Sequence, residues 1–297
     1  MDEIIMAFPS RDTIDTVAAF IARLNRQAHS HIGYCGRQPE EIASTLRNDF
    51  TDIPFEKAFI LAYEEETLIG VIGFDADIEQ KSAEVWGPFL EANQQEPVYL
   101  LFQQMMQLIP SAIEKLCMFP NKENNLAASV TTAFNFSKQS EQAILILRQN
   151  DFITTQNSML PILPEHHYSE MINLHNLVFP YTYYNGEQIL NRIGENRQVF
   201  HVEKEGRLAG YIYVEVEPEF SEASIEFFAV DKRYRGQSIG TELLRIAVSW
   251  IFSFNEIKEL QLCVNTTNSS AIHLYQKAGF QLVDELYFFQ KELKDHV

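Results

Sequence analysis

Apolar residues follow two spacings along this chain, and the two spacings predict different secondary structures. From Ile14 to Leu24 they recur at helical spacing after Ser10, a residue type that caps helix N-termini. Elsewhere they form short runs separated by polar turns, as on both sides of residues 64–67 and of residues 205–206. Such paired runs predict β-hairpins. The pattern therefore predicts an α/β protein.

The predicted elements extend through the whole chain. Strands are predicted at residues 4–8, 57–63, 68–74, 82–90, 115–119, 142–147, 159–163, 198–203, 208–216, 224–230, 259–264 and 285–291. Helices are predicted at residues 14–24, 40–50, 98–109, 124–133, 165–178, 187–193 and 269–277, and from Thr241 onward. At 297 residues the chain is long enough for two domains, each with its own core.

The second half of the chain repeats the first. TLIGVIGF at residues 67–74 aligns with RLAGYIYV at residues 207–214, and residues 121–136 align without gaps with residues 265–280. In the second alignment Asn135 falls opposite Gly279, and these residue types tolerate a left-handed helix cap best. The repeat predicts two copies of one α/β unit, at residues 1–155 and 156–297, joined near Thr155.

The stretch SIEFFAVDKRYRGQSIGTELL, from Ser224 to Leu244, has the pattern of a phosphate-binding loop. A buried strand leads into a glycine-containing turn and then into a helix, whose first N–H groups and dipole favour an anion. Neither GxxxxGK[ST] nor GxGxxG occurs here. Three cations, Lys232, Arg233 and Arg235, occupy the turn of a chain whose net charge is -18. A local anion such as a pyrophosphate would account for them better than a solvated basic turn.

Composition excludes several functional classes. The acidic balance argues against a nucleic-acid surface and mildly favours cationic acceptors such as amines. Three widely spaced cysteines predict reduced thiols, without a disulfide framework or a CxxC metal site. An acidic N-terminus and the lack of a long apolar run predict a cytoplasmic protein with no membrane span. The pairs His29/His31 and His166/His167 have no further ligands at metal spacing, so we interpret them as structural or surface residues.

Two motifs resemble the GCN5-related N-acetyltransferases, the GNAT superfamily. Arg235 and Gly240 match the ends of that family's Q/R-x-x-G-x-G/A loop, with Ser238 at the usual position of the middle glycine, and LYQKAGF at residues 274–280 is an independent second motif. The resemblance implies two tandem GNAT-like units, each a mixed, mostly antiparallel sheet flanked by helices. The first unit would be degenerate, because residues 91–97 contain no glycine, lysine or arginine where the loop belongs.

The resemblance also implies a binding site for acetyl-CoA as co-substrate. It implies backbone contacts from the strand to the pantetheine arm, a phosphate loop, and an asparagine that contacts the same arm. These residues are Phe228, Ala229 and Val230 on the strand, then Arg235, Gly236, Gln237, Ser238, Ile239, Gly240 and Thr241 in the loop, and Asn268. Tyr275 matches the tyrosine that often serves as general acid, although it could also be a core tyrosine.

Transfer to an amine also requires a base, because a free amine with a pKa of about 10.4 is protonated at neutral pH. Glu226, a carboxylate among apolar residues of the central strand, is our first choice, and Glu215 is the second. The alternative for Glu226 is an ordinary outward-facing glutamate. The aromatic run Phe179, Tyr181, Tyr183 and Tyr184 is predicted either to shape the acceptor pocket or to pack against the first half.

The sequence therefore predicts an acyl-CoA-dependent N-acyltransferase that moves acetyl to a primary amine of a small molecule or peptide by direct attack. One alternative is a non-catalytic sensor or interaction protein that binds acyl-CoA. Another is a pseudo-enzyme without a ligand. The sequence does not fix the oligomeric state.

Overall fold

A computed structural model describes residues 4–91, 95–152, 160–180 and 182–293. The chain forms two compact units. Unit 1 comprises Met1–Gln142 and Asp284–Val297, and unit 2 comprises Ala143–Val283. The junction predicted at Thr155 lies outside the described residues. In this division the chain passes from unit 1 to unit 2 within the strand Ser137–Arg148 and returns within the strand Gln281–Glu292.

Unit 1 contains one sheet with helices packed against it. Its elements are β1 (Ile4–Ala7), α1 (Ile14–Asn25), α2 (Pro39–Asn48), α3 (Phe55–Ala58), β2 (Phe59–Glu64), β3 (Thr67–Asp77), β4 (Ser82–Leu90), α4 (Gln95–Leu108), β5 (Lys115–Met118), α5 (Asn125–Ala133) and the start of β6 (Ser137–Arg148). Strands β1 to β4 pair antiparallel in chain order, and β4 pairs with β5 in parallel. The end of the last strand of the chain pairs antiparallel with β5.

Unit 2 repeats this order of elements. Its elements are α6 (Tyr168–Val178), α7 (Gly186–Arg192), β7 (Arg197–Lys204), β8 (Arg207–Glu217), β9 (Glu222–Val230), α8 (Ile239–Ile251), β10 (Glu259–Asn265), α9 (Ser269–Lys277) and the start of β11 (Gln281–Glu292). Strands β7, β8 and β9 form an antiparallel three-stranded sheet, while β10 lies beside the end of β6.

Details of the backbone confirm the repeat. The first hairpin of each unit has a register shift at the same place, after Ala62 in unit 1 and after Val202 in unit 2. Asn135 and Gly279 have φ angles of +57° and +103°, so both helices end in the predicted left-handed residue. The predicted class, two tandem units with mostly antiparallel sheets and flanking helices, is therefore confirmed.

The strand predicted at residues 159–163 is not a strand in the described residues 160–163. Ile162 makes one isolated bridge to Phe200, and residue 159 lies outside the described part. Pro161 and Pro164 carry no N–H group, so this segment cannot complete a strand ladder. Helix α8 also begins at Ile239, before the predicted start at Thr241.

The sheet of unit 2 is apolar on both faces. One face packs against α8, where Leu243, Leu244 and Val248 are fully buried. The opposite face packs against α6 and α7, around Tyr211 and Tyr213. Across the described ranges of the chain, no helix is both long and apolar enough to cross a membrane.

Candidate active site

The loop between β9 and α8 turns through two residues with positive φ. Asp231 accepts a hydrogen bond from the Arg233 N–H at 2.9 Å and so starts a short 3-10 turn at Lys232–Tyr234. Gly236 and Ser238 then have φ angles of +78° and +62°. A Cβ at Gly236 would meet no atom within 4 Å, so its backbone conformation, rather than crowding, explains the glycine.

The N–H groups at the end of this loop and in the first turn of α8 are available to a ligand. The first backbone hydrogen bond of α8 runs from Glu242 N–H to the Ser238 carbonyl at 3.0 Å. Within the described parts of the chain, no acceptor receives a hydrogen bond from the N–H groups of residues 236–241. Free N–H groups at the start of a 13-residue helix form the local environment that binds phosphate oxygens.

Ser238 has a left-handed backbone conformation at the position where the GNAT loop motif usually has a glycine. Its left-handed φ is uncommon for a residue with a Cβ, and its hydroxyl makes no capping hydrogen bond. We therefore predict that Ser238→Gly binds acetyl-CoA at least as tightly as the wild type, whereas Ser238→Val, with a β-branched side chain, binds it more weakly. Titration calorimetry with acetyl-CoA measures both. Weaker binding by the glycine variant would contradict this account of the loop.

A groove of about 560 Å³ opens beside the free N–H groups. Its walls come from β9, from the loop with the first turn of α8, and from one face of α9. The lining residues are Phe228, Val230, Tyr234, Arg235, Gly236, Ser238, Ile239, Gly240, Thr241, Ser270, Ala271, His273, Leu274 and Lys277. A Cβ at Gly240 would lie 3.2 Å from the Phe228 ring, so glycine lets the helix start approach β9 closely. Of the predicted binding residues, Ala229, Gln237 and Asn268 are not on these walls.

The charge around the groove differs from the sequence-based expectation. Arg233 is paired with Asp231 at 2.8 Å, so it is largely neutralised within its own turn. Arg235 and Lys232 form no ion pair with any described residue, and Arg235 lines the groove. Lys277 of α9, which the sequence reasoning missed, adds a second cation to the wall. The spacing of Ser270, His273, Leu274 and Lys277 on one helical face was the available signal.

Strand β9 separates this groove from the helices α6 and α7. Phe228 and Val230 face the groove, whereas Phe227 and Ala229 are buried on the opposite side. Among the described strands β9 pairs only with β8, so its other edge carries unpaired backbone groups. A molecule lying in the groove can therefore reach the backbone of Phe228 to Val230 along this edge.

Glu226 lies in a β-bulge of β9. Tyr213 pairs with Phe227 and Val214 pairs with Ile225, which leaves Glu226 without a partner on β8. Bulges redirect side chains and often occur beside active sites. The Glu226 carboxylate accepts a hydrogen bond from the Tyr183 hydroxyl, on the α6 and α7 side of the strand. Partial burial of that hydroxyl and its bond to Glu226 raise the pKa of Tyr183, so the phenol keeps its proton.

Glu215, the second candidate base, is engaged in ion pairs. It accepts hydrogen bonds from Arg192 at 2.9 Å and from Arg197 at 2.8 Å, and also from the Tyr213 hydroxyl. Burial alone would raise the pKa of Glu215, but the hydrogen bonds from Tyr213 and the two arginines outweigh burial and lower it. A carboxylate held in this way is a weak base, so the geometry favours Glu226.

Tyr275 lies on α9 behind the groove-lining face. Its ring packs edge-on against Phe280 at 5.6 Å, and its hydroxyl has no hydrogen-bond partner among the described residues. Burial raises the pKa of Tyr275, so the phenol stays protonated at neutral pH. The Tyr275 side chain therefore packs against Phe280 and also keeps a phenol proton that it could donate.

Asn268 acts as the N-cap of α9. Its side-chain oxygen accepts the Ala271 N–H at 3.2 Å, and Asn124 caps α5 in the same way through Ala127 at 2.9 Å. A cap is thus sufficient to explain why the repeat aligns these two asparagines. Any contact of Asn268 with the coenzyme would be an additional role.

The repeat provides a matched control for that second role. We predict that Asn268→Ala lowers the free energy of unfolding by about 1 kcal/mol, because it removes one cap. Asn124→Ala should lower it by more, because the buried Asn124 also donates a hydrogen bond to the His31 carbonyl at 3.3 Å. Only Asn268→Ala should also raise KM for acetyl-CoA. Urea unfolding and initial-rate kinetics on both variants test this. If KM is equal in the two variants, Asn268 serves only as a cap.

The aromatic run after α6 packs within unit 2. Tyr183 and Phe179 lie 5.1 Å and 5.3 Å from the Phe227 ring, and Arg192 lies over the Tyr184 ring at 4.2 Å. Phe179, Pro180, Thr182 and Tyr183 line an open depression of about 710 Å³ beside Glu226. Tyr181 lies outside the described residues. The contacts support the acceptor-pocket alternative for this run.

A buried histidine fixes this aromatic segment to the sheet. The Tyr211 hydroxyl donates to His175 Nδ1 at 2.5 Å, and His175 Nε2 donates to the Tyr184 carbonyl at 2.8 Å. Burial lowers the pKa of His175, which keeps the imidazole neutral and suits one accepting and one donating nitrogen. Sequence reasoning could not detect this link, because 36 residues separate His175 from Tyr211.

Among the described residues, unit 1 differs from unit 2 at the position that aligns with Glu226. Trp86, which aligns with Glu226, is buried and packs against Phe50 at 5.3 Å. The segment from Glu91 to Pro97 lies partly outside the described residues. The site described above therefore belongs to unit 2.

Comparison with known proteins identifies similar sequences and folds. Residues 168–280 match the sequence model of the acetyltransferase (GNAT) family. The chain is 30% identical over 139 residues to an N-alpha-acetyltransferase of Sulfurisphaera tokodaii, across 42% of this chain and 81% of that protein. It is 31% identical over 90 residues to a spermine/spermidine N(1)-acetyltransferase of Bacillus subtilis, across 28% of this chain and 59% of the relative.

Two solved structures resemble the fold over nearly the whole chain. A GCN5-related N-acetyltransferase from Sphaerobacter thermophilus aligns with a TM-score of 0.63 at 14% identity, covering 97% of this chain and 95% of that one. A tandem GNAT protein from the clavulanic acid biosynthesis pathway aligns with a TM-score of 0.53 at 14% identity, covering 98% of each chain.

Proposed function

Since this chain belongs to the acetyltransferase (GNAT) family, we propose that it transfers acetyl from acetyl-CoA to a primary amine of a small molecule or peptide. One observation carries the proposal: the unbonded N–H groups of residues 236–241 belong to the loop and helix start that form one wall of a groove, and Arg235 and Lys277 line the same groove. N–H groups and cations together bind a pyrophosphate. In this proposal the unpaired edge of β9 binds the pantetheine arm of the coenzyme.

The acceptor amine would enter from the Tyr183 side and meet Glu226. Glu226 takes one proton from the ammonium, directly or through a water, and the amine nitrogen forms the new C–N bond as the C–S bond breaks. The thiolate leaves and receives a proton, for which Tyr275 is the available donor. After the C–N bond forms, the nitrogen loses its second proton, which restores the Tyr275 phenol. The products are an amide, a free thiol and the one proton that Glu226 releases to solvent.

The acceptor class follows from charge and from the relatives. A carboxylate beside an aromatic depression suits a cationic amine. The names of the relatives add two classes to test, polyamines and the N-terminal amines of proteins. We propose that the physiological acceptor is an amine of one of these classes.

Two measurements test the proposed function in sequence. Saturating acetyl-CoA should raise the melting temperature, because a ligand at 100 times its Kd adds about 2.7 kcal/mol of stability. Thiol release should then appear with at least one amine in a panel of spermidine, spermine and a short peptide with a free N-terminus. Binding without thiol release would favour the acyl-CoA sensor instead. Absence of binding would leave the pseudo-enzyme.

A further inference from the structure

A cluster of metal-ligating side chains lies in unit 2 outside the site described above. His166 and His167 occupy the 3-10 turn at Glu165–His167 before α6, and Glu203 lies near the end of β7. One ligand atom from each of the three lies within 4.8 Å of the others, and no other group in the described parts of the chain meets this geometry. Glu203 is 36 residues away from His167, so sequence spacing could not reveal the cluster.

His167 has the hydrogen-bonding of a metal ligand. Its Nδ1 lies 2.7 Å from a carboxylate oxygen of Glu170, and the same oxygen accepts the Leu208 N–H at 3.0 Å. A metal-bound histidine usually donates its other ring N–H to a carboxylate anchored in this way. With Nδ1 as the donor, Nε2 is the bare nitrogen.

The bare nitrogen faces a second carboxylate. His167 Nε2 lies 3.1 Å from Glu203 Oε2, and two lone pairs at this distance repel unless a cation or a second proton lies between them. Two ligands bound to Zn²⁺ at about 2.0 Å in a tetrahedron lie about 3.3 Å apart. The observed separation is close to one edge of that tetrahedron. A second proton on His167 would satisfy Glu203 but would leave His166 unexplained.

The rings of two further histidines, His166 and His201, lie near His167. The ring of His166 lies 4.3 Å from that of His167 and makes no hydrogen bond with any described residue. His201 lies on the same face of β7 as Glu203, two positions earlier, and its ring is 5.5 Å from that of His167. His201 Nδ1 donates to the Pro161 carbonyl at 3.0 Å, which fixes this ring beside the cluster.

We propose that His166, His167 and Glu203 bind a zinc-like divalent ion, with water as the fourth ligand. Imidazole and carboxylate together are ligands that Zn²⁺ prefers. The ion would link the start of α6 to β7. Because α6 leads directly into the aromatic segment at residues 179–184, the ion would stiffen the support of the proposed acceptor pocket without taking part in acetyl transfer.

Titration of chelator-treated full-length protein with ZnCl₂ tests the site. The expected result is saturable binding of one ion by calorimetry and a rise in melting temperature, with no response to MgCl₂ because Mg²⁺ prefers oxygen ligands. His166→Ala and Glu203→Gln should each weaken Zn²⁺ binding at least tenfold. His29→Ala, an exposed histidine in unit 1, is the matched control and should bind as the wild type does.

Two results would overturn the proposal. One is the absence of saturable Zn²⁺ binding, which would make the cluster a protonated histidine held between two carboxylates. The other is equal Zn²⁺ binding by the wild type, His166→Ala and Glu203→Gln. The melting shift with acetyl-CoA should persist in His166→Ala, so failure of this site and failure of the acetyltransferase proposal are distinguishable.

Discussion

The Glu226→Gln variant is expected to lower kcat for acetyl transfer by about 10²- to 10⁴-fold, the usual contribution of a positioned general base. Glutamine keeps the shape and can still accept the hydrogen bond from Tyr183, so the melting temperature should change little. The deficit should narrow as pH rises towards the pKa of the amine, about 10.4 for a lysine-like acceptor, because the amine then loses its proton without help. Initial rates at saturating acetyl-CoA from pH 7 to pH 10 measure both effects.

Two control variants separate the chemistry of Glu226 from its position. Glu222→Gln alters an exposed glutamate on the same strand and should leave kcat unchanged. Tyr183→Phe removes the hydrogen bond but keeps the carboxylate, so it should change KM for the amine more than kcat. A wild-type kcat in Glu226→Gln would show that another group, or water alone, removes the proton.

The Glu84→Gln variant is expected to stabilise unit 1 at alkaline pH. Glu84 lies opposite Asp75 in the β3–β4 pair, and its Oε1 has no hydrogen-bond partner among the described residues. Burial, and then the charge of Asp75, raise the pKa of Glu84 to about 8 from 4.5. Burial, followed by Asp52 and Asp49, raises the pKa of Asp75 to about 6.

The direction of the pH dependence follows from proton linkage. Between pH 4.5 and about 8 the folded state holds a proton on Glu84 that the unfolded state has released. The free energy of unfolding therefore falls as pH rises through this window. Each unit of pKa difference corresponds to about 1.4 kcal/mol, so the shift of Glu84 from 4.5 to about 8 predicts a loss on the order of 5 kcal/mol. Glutamine cannot ionise, and the variant should lose most of this dependence.

The two tryptophans allow unit 1 to be followed separately. Trp86 lies in unit 1 and Trp250 in unit 2, so in a Trp250→Phe background the fluorescence reports unit 1. Urea unfolding at pH 5, 7 and 9 compares this background with and without Glu84→Gln. Glu66→Gln, at an exposed position of the β2–β3 turn, is the control. A wild-type stability that is flat from pH 5 to pH 9 would refute the prediction.

Local signals in the sequence were sufficient to predict the fold and the loop. The left-handed caps at Asn135 and Gly279 are set by residue type and by the helix that precedes them, so the repeat alignment predicted them. The same holds for the phosphate-binding pattern, in which strand, turn and helix are consecutive. The conformation of Ser238 could not be predicted, because its neighbours rather than its own preference impose a positive φ.

The features that were not predicted join residues far apart in the chain. Lys277 reaches the groove because α9 packs beside the start of α8, and Glu84 meets Asp75 because β3 and β4 are in register. The repeat alignment also cannot show whether an aligned residue contacts a ligand. Asn268 and Asn124 align because both cap helices, whether or not either one also contacts a ligand. Sequence reasoning located the site but could not supply its full set of contacts.

Strands β6 and β11 each begin in one unit and end in the other, and this has a consequence for biosynthesis. The end of β11 pairs with β5 from Phe289 to Glu292, and these residues leave the ribosome only after all of unit 2 has been made. Until these residues have been synthesised, the sheet of unit 1 is incomplete and the edge of β5 that pairs with β11 is exposed. An open sheet margin recruits other chains. Synthesis of this protein should accordingly depend on chaperones that shield β5 until the final strand arrives.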